Sequence, residues 1–206
     1  DNWGHMDNIC VIPNANTFST HQTAALNARR VIAIGRYNYQ KGFDRLIKAW
    51  KTVNQVCPEW TLDIIGEGED KARLQSLINY EKLNGSVRLM PATSDIENVY
   101  LGASVVAMSS HYEGLPMVLL EAQSFGLPIV AFACQCGPKD VITDGETGFL
   151  VPEGEVEGLA DRLITVMEDD NLRLSMGKKA KEASHRYEER GMMQLWMETF
   201  QTVMEQ

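Results

Sequence analysis

The chain has 206 residues, 44% of them apolar and 23% charged, the profile of a soluble globular domain that can bury about 70% of its unfolded surface without disulfide or metal support. A formal net charge of −9 opposes non-specific binding to nucleic acid. No apolar run approaches the roughly 18 residues of a membrane span, and the N-terminus carries no signal-peptide pattern.

In chain order, residues 1–28 come before any regular alternation. "NICVIPNANTF" has a strand-like start and a Pro-Asn turn, then continues through polar residues, so residues 1–28 are expected to be a linker or a strand belonging to another unit. "GHM" at 4–6 runs on smoothly into this segment and is taken as native. The body of the domain is assigned to residues 29–187 and a last helix to 188–206.

Six short β-rich runs follow, at 30–35, 60–66, 86–90, 104–110, 128–134 and 147–151. The first leads into an amphipathic stretch, 43–56, where Phe43, Leu46, Ile47 and Trp50 recur at helical spacing. Further helices are expected at 69–83, 95–101, 115–125, 155–169, 171–184 and 188–204. Strands that are nearly all apolar and alternate with helices imply an α/β, Rossmann-like doubly wound parallel sheet of about six strands, covered by helices on both faces. Ligands in such sheets bind beyond the carboxyl ends of the strands, which directs attention to the loops after the first, fourth and fifth.

The loop and helix after the fourth strand read "SSHYEGLPMVLLEAQSFGLP". Pro116 suits a first helical turn, Gly126 suits a C-terminal cap, and Pro128 stops the helix beyond it. Free amides from Gly114 through Leu115, Pro116 and Met117 to Val118 (the proline supplying none), with the helix dipole, would form an anion site. Glu113 and Glu121 flank it, about 12 Å apart if all eight residues rise helically. Carboxylates accept bonds from paired hydroxyls, which sugars supply. Two readings stand for this pair, solvated surface charges or hydroxyl ligands, and the apolar neighbours of Glu121 favour the second for that residue.

After the first strand, "GRYNYQKGF" places Arg36 and Lys41 in a strand-to-helix loop that begins at Gly35. Two cations there are either exposed surface charges or a clamp for a diphosphate. A charge pair at 4 Å contributes about 1 kcal/mol in water and up to about 4 at an effective dielectric of 20. "GEGED" at 66–70 lacks the full dinucleotide fingerprint and reads as a turn with Asp70 near a helix start. "CGPKDVITDGETGFLVP" reads as an ordered loop region near the fifth strand, and Asp144 with Glu146 makes a poor metal pair. His111 reads as a hydrogen-bonded loop histidine, with proton transfer or sugar contact as the other reading. The cysteines, Cys10, Cys57, Cys134 and Cys136, include one C-x-C pair with no second pair, a poor zinc site, so reduced thiols of a cytoplasmic protein are expected.

These stretches together resemble the C-terminal, donor-binding half of a family 4 glycosyltransferase with the GT-B fold. The matching pieces are "VIPNANTF", "IGRYNYQKGFDRLIKAW", "LDIIGEGEDKARL", "SSHYEGLPMVLLEAQSFGLPIVAF" and "GPKDVITDGETGFLVP". Two of them look most like enzymes that build bacterial surface polysaccharides or lipid-linked oligosaccharides. The resemblance implies a retaining enzyme that moves a hexose-type sugar from a nucleoside diphosphate, UDP ahead of GDP, with no cofactor and no metal. It implies that Glu113 contacts donor-sugar hydroxyls, Glu121 the ribose hydroxyls, and the backbone from Gly114 to Val118 the sugar and diphosphate. Gly35, Arg36 and Lys41 fall on the diphosphate-binding loop, with Glu113, Arg36 and Lys41 as the catalytic set. Leu89, Met90 and Pro91 fall near the base.

The acceptor-binding N-terminal half of the family is absent from this sequence, and the last helix corresponds to the one that crosses back onto that half. The isolated domain is therefore expected to bind donor and to transfer sugar poorly or not at all. A saccharide or lipid-linked acceptor would be held by the other half, with no nucleic-acid partner. The expected location is the cytoplasm, or the inner face of its membrane as a peripheral protein without membrane contact through this domain. A nucleotide-sugar epimerase of the same architecture and a non-catalytic nucleotide-binding module are the two competing functions.

Overall fold

A computed structural model describes residues 10–16, 18 and 20–205. Six parallel strands, β1 (Arg30–Ile34), β2 (Thr61–Ile65), β3 (Val87–Met90), β4 (Val105–Met108), β5 (Ile129–Phe132) and β6 (Gly148–Val151), form one sheet in the order β3-β2-β1-β4-β5-β6. The expected α/β doubly wound class is what the chain adopts. Each strand is shorter than its apolar run; β3 and β6 begin one residue later than their runs, β1 ends one residue earlier, and β2, β4 and β5 lose residues at both ends.

The helices are α1 (Phe43–Val56), α2 (Lys71–Tyr80), α3 (Ile96–Leu101), α4 (Met117–Ser124), α5 (Pro138–Val141), α6 (Val156–Glu168), α7 (Asp170–Ser184) and α8 (Glu189–Met204). Successive strand residues point to opposite faces, so the sheet feeds two cores, with β3, at its edge, contributing to one of them. Val31, Ala33, Leu62 and Ile64 meet Leu46, Ile47 and Trp50 of α1 and Leu159 and Leu163 of α6 on one face. Ile32, Val106, Ile129 and Ala131 meet Tyr100 of α3 and Leu119 and Leu120 of α4 on the other. β4 and β5 are buried throughout, as strands covered on both sides must be.

Three expectations change. The helix placed at 115–125 is α4, two residues shorter at its start, because Pro116 caps it in an extended conformation, with ψ 97°. Only four of the eight steps from Glu113 to Glu121 are then helical, so the offset of about 12 Å drawn from a continuous helix does not apply. The segment taken as loop at 136–152 contains α5, signalled by Pro138 in its first turn. The C-terminal end of α4 is as expected: Gly126, at φ +68°, donates to the Gln123 carbonyl and Leu127 to that of Ala122, a Schellman closure.

Two buried charges organise the core. Asp63 on β2 is 1% exposed and accepts from Arg30 on β1 at 2.7 Å and from Arg88 on β3 at 2.6 and 2.9 Å. Arg173 of α7 is 5% exposed and donates to the carbonyls of Leu26, Val166 and Met167, each at 3.0 Å, while its guanidinium lies over the Trp60 ring.

The N-terminal segment is tied to this body. The Asn16 amide donates to the Tyr187 carbonyl at 2.7 Å and its side chain to that of Leu120 at 3.0 Å, and Ala24 and Leu26 are buried in the core. Of the strand-like start at "NIC", residues 8 and 9, like 4–6, lie outside the described residues, and residues 10–12 pair with no strand. At the other terminus α8 contributes only Met192 to the core and leaves Met193, Trp196, Met197 and Phe200 exposed. Among the described residues no helix is long and apolar enough to cross a membrane.

Candidate active site

β1 pairs with β2 on one side and β4 on the other, so the strand order reverses between β1 and β4. A crevice opens at the carboxyl ends of strands at such a point. Here it is a cavity of about 270 Å³ whose walls include Ile34, Lys41, Ser110, Glu113, Pro116 and Val118. The loop after β1 and the loop after β4 therefore meet, as the sequence suggested.

Lys41 ends a short 3₁₀ turn, Tyr39–Lys41, capped by the Asn38 side chain, which accepts from the Lys41 amide at 3.2 Å. Its aliphatic stem passes over Gly35, where a methyl group would stand 3.0 Å from Lys41 Cε. Lys41 Nζ donates to Glu113 Oε1 at 2.7 Å, and Ser110 Oγ donates to the same oxygen at 2.7 Å. The Glu113 side chain is only 7% exposed. Among the described residues Oε2 receives no hydrogen bond. An ammonium carries three donors, of which this pair uses one. The cluster can thus offer a hydroxyl or phosphate ligand both an acceptor and spare donors.

The loops that carry these groups are joined through main-chain atoms. Gly35 N–H donates to Ile65 at 3.0 Å, Tyr37 N–H to Glu67 at 2.7 Å, and His111 N–H to Gln40 at 2.8 Å. Arg45 of α1 grips the Ser109 carbonyl at 2.6 Å, and Ser109 Oγ donates to the Lys41 carbonyl at 3.0 Å. Gly137 buttresses the stretch before α4. It sits at φ +78°, and a Cβ there would fall 2.1 Å from the Gly114 carbonyl oxygen. Neither Arg45 nor Gly137 stood out in the sequence; a Gly before a helix-starting proline was the one available sign.

The remaining expected residues divide. Leu115, Pro116, Met117 and Val118 line the cavity, and the first-turn amides of α4 lie at the carboxyl edge of the sheet. Gly114 is exposed, with no atom within 4 Å of where a side chain would begin. Arg36 is exposed and turned away from Lys41, donating to Glu69 at 3.2 and 3.3 Å. Glu121 accepts from the Tyr100 hydroxyl at 2.7 Å. Met90 and Pro91 line a second, mainly apolar cleft of about 350 Å³ with Ile65, Asn98 and Val99. Leu89 does not, because strand alternation sends it to the opposite face, against the core under α1 and α2.

His111 stacks on Tyr39 with ring centroids 4.2 Å apart, and its Nδ1 faces Glu153 at 3.8 Å. Burial, and then the Arg45 guanidinium, hold it below the ordinary histidine pKa. Asp144 accepts from the Leu150 amide and Glu146 faces Lys179, so the two are engaged separately. Among the described residues no group of three or more His, Cys, Asp or Glu side chains is placed to hold a metal ion, and all four cysteines are free thiols.

A six-stranded parallel sheet of this order, with helices on both faces, defines a Rossmann-like α/β domain. Residues 16–183 match the family model of the group 1 glycosyl transferases, and the chain belongs to that family. It is 34% identical over 191 residues to an uncharacterized glycosyltransferase of Haemophilus influenzae, covering 92% of this chain and 54% of that protein. It is also 34% identical to the amylovoran biosynthesis glycosyltransferase AmsD of Erwinia amylovora, covering 93% and 55%. The chain thus spans about half the length of the curated relatives it matches. Among solved structures, TarM of S. aureus, in complex with fondaparinux, alpha-GlcNAc-glycerol and UDP, superposes with TM-score 0.81 at 26% identity, over 93% of this chain and 38% of that one. Anabaena HepE in complex with UDP superposes with TM-score 0.79 at 26% identity, over 85% and 49%.

Proposed function

We propose that this chain is the donor-binding half of a retaining glycosyltransferase. It would transfer a hexose-type sugar from a nucleoside diphosphate, UDP in preference to GDP, to a saccharide or lipid-linked acceptor held by the rest of the protein. The observation that carries this reading is the Lys41–Glu113–Ser110 cluster beside the first turn of α4, within the cavity at the switch point. UDP in the TarM and HepE structures supports the choice of base.

In this reading the diphosphate lies between Lys41 and the α4 amides. Glu113 Oε2 accepts from sugar hydroxyls, Glu121 holds the ribose, and the base enters the cleft under Met90 and Pro91. When the bond from the anomeric carbon to the diphosphate oxygen breaks, its electron pair stays on the diphosphate. Lys41, the helix N-terminus and Arg36, once it swings from Glu69, stabilise that charge. The exposed apolar face of α8 packs on the acceptor-binding half, for which residues upstream of β1 act as the link.

Calorimetric titration with UDP-, GDP- and ADP-sugars tests the proposal. The UDP-sugar is expected to bind most tightly, and Glu113→Ala or Lys41→Ala to abolish most of that binding. No binding by any of the three, or binding untouched by Glu113→Ala and Arg36→Ala, would sink it. With the whole protein, NMR of the product anomer decides whether configuration is retained.

A further inference from the structure

We infer that Tyr100 is a positioning residue for Glu121, and that Phe18, in the segment before β1, serves the same carboxylate by clamping the Tyr100 ring. The inference rests on the proposal that Glu121 holds the ribose hydroxyls of the donor.

Glu121 sits on a helix whose neighbouring residues Leu119, Leu120, Ala122 and Phe125 are fully buried. A glutamate side chain has several staggered rotamers, and only one of them can meet a pair of hydroxyls in a fixed pose. The Tyr100 hydroxyl favours one of them by donating to Oε2 at 2.7 Å. Tyr100 is itself 0% exposed. A buried phenol is costly unless its hydroxyl finds a partner, so the bond fixes both groups. Burial, followed by the adjacent Glu121 charge, pushes the phenol well above the ordinary tyrosine range, and it remains a donor throughout the working pH range.

The ring is immobilised from two sides. Phe125 stacks on it with centroids 5.1 Å apart and planes 12° from parallel. Phe18 meets both rings edge-on, 6.4 Å from Tyr100 and 5.3 Å from Phe125. Phe18 is held in turn by its own amide, which donates to Asn16 Oδ1 at 3.1 Å, while Asn16 is fastened to the Leu120 carbonyl of α4. The segment before the first strand thus closes over the helix that carries Glu121, instead of merely leading into the domain. The phenol adds to this aromatic stack only a hydrogen-bond donor, and the group it serves is the proposed ribose ligand.

The test is titration of the 206-residue chain and three variants with UDP and with 2′,3′-dideoxy-UDP, which lacks the ribose hydroxyls. Tyr100→Phe is expected to weaken UDP about tenfold, the loss of one bond to a charged group, and to change dideoxy-UDP less than about twofold. Phe18→Ala should act in the same direction by about threefold, again on UDP alone. Equal losses for both nucleotides, or no loss for UDP, would show that the hydroxyl serves packing only and overturn the inference. Should Tyr100→Phe fail to fold, Phe18→Ala carries the same comparison, and an unchanged UDP affinity there overturns it. Glu121→Gln separates the two levels. If it leaves UDP binding intact, the ribose reading fails and the inference with it; if it weakens UDP while Tyr100→Phe does not, only the inference fails.

Discussion

Lys41 Nζ and Glu113 Oε1 lie 2.7 Å apart and join the loop after β1 to the loop after β4, although 72 residues separate them in the chain. A cation suited to phosphate and a carboxylate suited to hydroxyls hold each other in place. In the proposed function a diphosphate would share Lys41 with Glu113, which would couple the two ends of a donor. Removing either partner leaves the other charge unpaired in a largely buried setting. Lys41→Met or Glu113→Gln alone is therefore expected to destabilise the fold by about 1–3 kcal/mol. The double variant should lose clearly less than the sum, and urea denaturation of all four proteins measures the difference.

Gly137→Ala should weaken nucleotide-sugar binding more than it weakens the fold. Its Cβ would collide with the Gly114 carbonyl, and the stretch before α4 must shift to admit it. A positive φ adds strain of about 1 kcal/mol. Calorimetry against thermal unfolding compares the two losses; an unchanged affinity for the nucleotide sugar would contradict the buttress role.

His111 should titrate below the ordinary value of about 6.5, since burial and Arg45 both disfavour its cation. The sign follows from linkage: a folded pKa under the unfolded one means that its contribution to stability is complete above about pH 6.5 and is lost as pH falls through the folded value. NMR titration of the ring protons should place its midpoint below 6.5, Arg45→Met should raise it, and His111→Gln should flatten stability in that window. A midpoint above 6.5 would refute the assignment of causes.

Arg173→Met should cost at least about 2 kcal/mol, because it orphans three backbone carbonyls and removes the cation over Trp60. The contacts lie at the amino edge of the sheet, opposite the cavity. Chemical denaturation should register the loss, while the folded fraction keeps its affinity for nucleotide sugar.

The sheet was legible because period and composition agree: β4 and β5 are apolar at every position, and Phe43, Leu46, Ile47 and Trp50 repeat along α1. The residues lining the cavity, Lys41 and Leu115 to Val118, followed from loop position and resemblance. What stayed hidden depends on long-range geometry. Nothing local says that Arg36 turns to Glu69, that Leu89 faces the far core, or that Tyr100 reaches Glu121. The start of α4 was misplaced because proline suits both a cap and a first turn, and the choice depends on how the loop from Glu113 must bend. The apolar spacing of α8 would suit a core helix as well, and only its place in the fold leaves Met193, Trp196, Met197 and Phe200 exposed.

The loops around the cavity are stitched by amides and carbonyls of Gly35, Ile65, Tyr37, Glu67, Gln40 and His111. Apart from proline at the donating positions, most residues supply those groups, with Gly35 the exception because the Lys41 stem leaves no room there for a Cβ. Substitution along these loops can therefore alter what the cavity accepts without dismantling its frame. In the proposed function, diversification toward new sugars could proceed one side chain at a time, each intermediate retaining an assembled pocket.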